Sequence, residues 1–125
     1  MRKQEIFNIV VTHLLTQDKQ SRRRIAGIDT CAYRGRNGLK CAIGVLIPDA
    51  VYNKDMEDKN VAQIVDQYPS FASLKRNTGL LMKLQSIHDR GIYPKRSWRI
   101  ALLHVAHEHK LKVPKILKDR LDALL

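Results

Sequence analysis

The side chains best equipped for chemistry gather in two places. Cys31, Tyr33, Arg34, Lys40, Cys41 and Asp49 crowd the stretch 31–49, and Gln85, His88 and Asp89 follow on a later segment of helical pattern. A cysteine attacks as its thiolate, and nearby positive charge favours that form. One reading therefore makes Cys41 the nucleophile and His88 its base, with Asp89 or Gln85 as orienter or oxyanion donor, in a hydrolase or transferase. Lys40 and Arg34 would supply the positive field. Two features weigh against it. Cys41 opens onto the apolar Ala42-Ile43, and successive residues of a helix point about 100° apart, so Asp89 is awkwardly placed to orient His88. The same groups suggest a four-ligand metal set of Cys31, Cys41, His88 and Asp89. The nine residues between the cysteines exceed the two to four usual in structural zinc sites, so neither a metal nor another cofactor is expected. His104, His107 and Glu108 share a helix face, where histidines near a C-terminus complement the helix dipole. A structural role for the whole cluster is the alternative. Arg34 and Asp49 would form a buried pair, Gln85 and His88 would satisfy carbonyls of the segment around Asn37-Gly38, and the cysteines would fill space.

The charge points elsewhere. Lysine and arginine number 23 against 12 acidic residues, a formal net charge of +11. Such an excess favours polyanionic partners, either nucleic acid or an anionic host protein surface, over a neutral one. Two basic blocks, 19–40 and 70–99, flank a net acidic stretch at 51–69. The candidate phosphate contacts are Arg22, Arg23, Arg24, Arg34, Arg36 and Lys40 in the first block, and Lys95 and Arg96 in the second. Tyr33 or Trp98 would offer a ring for an unpaired base, although a tryptophan at a helix start reads more naturally as core. No helix-turn-helix, zinc-finger or RNA-binding signature is present, which argues against sequence-specific DNA reading. A solvated basic face is the plain alternative.

The elements that must position these groups follow from periodicity. Ile6, Val10 and Leu14, with Phe7, Val11 and Leu15 alongside, predict a core-facing helix from Lys3 to Gln17. Residues 30–34 and 39–43 around Asn37-Gly38 predict a β-hairpin. A helical turn is expected at 49–52. Asn60 and Gln63 form a capping box for a helix ending before Pro69. Further helices are expected from Asn77 or Thr78 to Arg90, with Gly91 as the stop, from Ser97 to His109, and from Pro114 onward. The fold class expected is α+β and mainly helical, with about four main helices, short helical turns, and one β-hairpin after the first helix. Residues 1–125 form one domain, since no repeat or linker divides them.

The residues Cys31-Ala32-Tyr33-Arg34, Gly38 to Gly44, Leu46-Ile47-Pro48-Asp49, Tyr52, Met56-Glu57, Leu84-Gln85 with His88-Asp89, and Trp98 resemble a group of small proteins encoded by bacteriophages and prophages. The likeness spans most of 31–98. It implies a phage origin and a life in the bacterial cytosol, and it carries no reaction and no cofactor with it. A cytosolic setting agrees with the rest of the sequence. No apolar run approaches the roughly 18 residues needed to span a bilayer, no targeting segment is evident, and the two cysteines read as reduced thiols. The function expected is that of a phage accessory protein binding nucleic acid, or a host complex working on it, through a basic surface. A cysteine enzyme using Cys41 and His88 is the alternative.

Overall fold

The computed structural model describes residues 1–90 and 94–125, with the side chains of all but 94–97. Five α-helices and one two-stranded antiparallel ribbon make an α+β fold that is mainly helical. They are α1 (Lys3–Gln17), β1 (Arg22–Ile25), β2 (Ile28–Cys31), α2 (Val61–Gln67), α3 (Thr78–Arg90), α4 (Pro94–Glu108) and α5 (Lys115–Asp122), with short 3-10 turns between β2 and α3.

The first helix organises the rest. Its six predicted apolar residues are all buried, and it packs against α3, α4, α5 and the turn Gly44–Leu46. Leu80, Leu81 and Leu84 meet it from α3, Trp98, Leu102 and Val105 from α4, and Leu117 from α5. The capping box of α2 forms as its spacing predicts. Asn60 Oδ1 accepts from the Gln63 amide at 2.9 Å, and Gln63 Oε1 accepts from the Asn60 amide at 2.9 Å.

Two boundaries differ from expectation. The fourth helix starts at Pro94, ahead of Ser97, because proline suits the first turn, where its missing N–H costs nothing. Pro114 stands just outside α5, its ψ of 150° extended, and the helix begins at Lys115. Gly91 lies outside the described residues, as do the side chains of Lys95 and Arg96.

The largest correction concerns the hairpin. Its strands are Arg22–Ile25 and Ile28–Cys31, paired Arg22 with Cys31, Arg23 with Thr30, Arg24 with Asp29 and Ile25 with Ile28. The turn is Ala26-Gly27, both at positive φ (51° and 80°), the geometry of a tight hairpin turn matched to strand twist. Asn37-Gly38 also adopts positive φ (58° and 74°), but it closes only a small loop, with a single bridge between Arg34 and Lys40. Its flanks form no ladder among the described residues and enter the core instead: Ala32, Tyr33, Cys41, Ala42 and Ile43 are all buried. Side chains take the place of strand partners. Glu57 accepts from the amides of Tyr33 (2.9 Å) and Arg34 (3.0 Å), Gln17 from that of Lys40 (2.9 Å), and Gln85 from that of Ile43 (3.0 Å).

Candidate functional site: the arginine ribbon and the cluster at its base

The C-terminal end of α3 sits at the base of the ribbon. Gln20, just before β1, donates to the carbonyls of His88 (2.8 Å) and Asp89 (3.2 Å). His88 is fully buried and stacks on Trp98, with ring centroids 5.6 Å apart. Its Nε2 accepts the Ser21 backbone N–H at 2.9 Å, and its Nδ1 lies 2.8 Å from Asp89 Oδ1. The amide settles the tautomer: Nε2 presents its lone pair, so Nδ1 carries hydrogen and donates to the carboxylate. Gln85 Nε2 donates to the same Oδ1 at 2.9 Å. Adjacent His88 and Asp89 thus do meet, despite their angular separation, because the histidine turns inward and the carboxylate reaches back.

The cysteines stand apart in environment. Cys41 is completely buried; its Sγ accepts from the Gly44 N–H at 3.2 Å, and burial pushes its thiol up to about 12. Cys31 is half-buried, and its sulfur, His88 and Asp89 bring their ligating atoms within 4.8 Å of one another. Burial first, then the Asp89 carboxylate, raises the Cys31 thiol to about 11, against the opposing pull of Arg22, whose guanidinium lies 3.6 Å from the sulfur. Beside this trio opens a cavity of about 450 Å³, lined in part by Cys31, Tyr33, Glu57, Gln85, Asp89 and Arg90.

This geometry speaks against the Cys41–His88 pairing of nucleophile and base. A thiol shielded from solvent and held far above neutrality supplies little thiolate, and the lone pair of His88 that would take its proton is occupied by Ser21. The same commitment bears on metal binding by Cys31, His88 and Asp89. Ligation through Nδ1 would move the imidazole hydrogen to Nε2, directly opposite the Ser21 N–H. Among the described residues no other group of this kind occurs, and His104, His107 and Glu108 are exposed along the end of α4.

The predicted phosphate contacts divide. Arg34 is mostly buried and is a structural tie. It donates to the carbonyls of Gly44 and Ile47, pairs with Asp49 at 3.0 Å, and lies over the Tyr52 ring at 4.9 Å. Lys40 shares Asp49 at 3.7 Å. Arg22 and Arg36 converge on Asp29, which they hold below the usual carboxylate range. Arg23 and Arg24 are committed only to carbonyl oxygens, of Arg34 (3.4 Å) and Gly27 (2.7 Å), and meet no carboxylate among the described residues. Ile25, Lys54 and the carboxylate-bearing Glu57 join them around a cleft of about 200 Å³. Neither predicted stacking ring is available: Trp98 is in the core, and Tyr33 is buried with its hydroxyl donating to the Lys59 carbonyl at 2.7 Å.

Sequence reasoning missed Ser21, Glu57 and Gln17 as anchors, and Ile28 at the ribbon's tip. Arg34 pairs with Asp49 as the structural reading expects, but the pair is not buried, since the Asp49 side chain is 85 % exposed, and Gln85 and His88 accept from amides where donation to carbonyls is expected. The chain matches no protein-family model, no curated protein and no solved structure. No helix of the described residues is long and apolar enough to cross a membrane.

Proposed function

We propose that the protein binds nucleic acid through its β1–β2 ribbon, as an accessory factor of phage type acting on nucleic acid or on a host complex that handles it. The observation that carries this reading is a run of three arginines on a strand along which no helix packs closely. Two of them, Arg23 and Arg24, form no ion pair among the described residues, in a chain of net charge +11. The charge repelled within such a ribbon is relieved when phosphates replace water and counterions. Arg90, from the second basic block, lines the cavity at the ribbon's base. The Cys41–His88 enzyme gains no support from the burial of the thiol or the committed imidazole.

Titration of labelled duplex DNA, duplex RNA and single strands across a salt series tests the reading. Affinity should fall steeply with salt for at least one of them, and Arg23→Ala with Arg24→Ala should flatten the slope. Absence of binding to all three at low salt would remove the proposal.

A further inference from the structure

We infer that the ribbon recognises duplex DNA by inserting Ile28 between base pairs from the minor groove, so that the complex is bent. This rests on the nucleic-acid reading above and names its substrate. The register places side chains on two faces. Arg22, Arg24, Asp29 and Cys31 share one, and Arg23, Ile25, Ile28 and Thr30 share the other. At the tip, Ile25 and Ile28 face each other across the Ala26-Gly27 turn, and Ile28 is 67 % exposed, beyond the reach of the core. Arg24 folds over the same turn onto the Gly27 carbonyl. An apolar point on a narrow arm, with Arg23 on its own face and Arg24 beside Asp29 on the other, combines what a groove-entering wedge requires: cations for the phosphates and a branched aliphatic for the space between bases.

The dimensions set a condition on the DNA. Strands of four residues reach roughly 13 Å, and two strands lie about 4.8 Å apart. With side chains the ribbon exceeds the roughly 6 Å minor groove of B-form DNA, so it fits only if the groove opens, which unstacking a base step achieves. Single strands are disfavoured as the target because Tyr33 and Trp98 are buried and Tyr52 lies beneath Arg34, leaving these rings no face for splayed bases.

The test uses the full chain and a duplex of about 25 base pairs carrying end-attached fluorophores and an internal 2-aminopurine. The unaltered protein should raise energy transfer between the ends and brighten the 2-aminopurine. Ile28→Ser should lose both signals and about tenfold in affinity, with the salt slope unchanged, while Ile28→Leu should restore both. Thermal unfolding of each variant checks that the fold is intact. Salt-dependent binding without bending, bending that survives Ile28→Ser, or stronger binding to duplex RNA would overturn the wedge and leave the nucleic-acid reading standing. No binding to any nucleic acid would overturn both.

Discussion

Glu57 shows how single side chains hold this protein together. One carboxylate accepts from two backbone amides, those of Tyr33 and Arg34, and from the Tyr52 hydroxyl at 2.6 Å. Removing it would strand partly buried donors, so Glu57→Ala should cost about 3 kcal/mol in denaturant unfolding. Gly44 is fixed for a steric reason: a Cβ there would overlap the Tyr33 carbonyl oxygen, at 2.2 Å. Gly44→Ala should destabilise by roughly 1–3 kcal/mol, visible as a lower denaturation midpoint. The thiols should be quiet. Cys41 should resist iodoacetamide until the chain unfolds, and Cys31 should react appreciably only as pH approaches about 11; rapid labelling of either at neutral pH would revive a catalytic reading. His13 donates from Nε2 to the Lys40 carbonyl at 2.8 Å, and burial lowers its pKa from 6.5. A histidine depressed in the fold contributes stability that is full above its unfolded value and lost as pH falls through the folded one. Stability should therefore decline below about pH 6.5, and His13→Gln, which can still donate to Lys40, should flatten that decline.

At the scale of elements, helices were legible in the sequence and the ribbon was misplaced, for reasons the residues make plain. The first helix announces itself by six apolar residues on one broad face, all of which are buried, and α2 by a capping box that closes as spaced. The hairpin was assigned to Asn37-Gly38 because that pair favours positive φ, whereas the true turn uses Ala26-Gly27, and alanine is a poor occupant of the left-handed region. What decided between them lies far away in sequence: Glu57, Gln17 and Gln85 supply the hydrogen bonds that a ladder at 30–43 would have made. The functional cluster was half legible in the same way. The dense residues of 31–49, with Gln85 and His88, largely tie that stretch to the helices. Their density marks a scaffold in this fold, and of the three arginines ahead of them only Arg24 is exposed. Ala26→Asn should relieve the strained turn, raising stability by about 1 kcal/mol without changing the ribbon's register; a fall in stability would show that the turn is not limiting.

For the whole molecule, the distribution of charge matters more than its sum. Some of the cations are tied to carboxylates: Arg34 and Lys40 share Asp49, Arg22 and Arg36 share Asp29, and Lys75 meets Asp66 at 2.9 Å. Arg23, half-buried, and Arg24, exposed, form no ion pair among the described residues and lie on a narrow arm with an apolar tip, and the account rests on them as the contact with phosphate. Its most direct test is the salt dependence of duplex DNA affinity for the full chain and for the Arg23→Ala, Arg24→Ala double variant. Each phosphate contact contributes about 0.9 to the slope of log affinity against log salt. The account predicts that the double variant keeps its thermal stability while its slope shrinks by about 2. An unchanged slope, with both proteins folded, would contradict it.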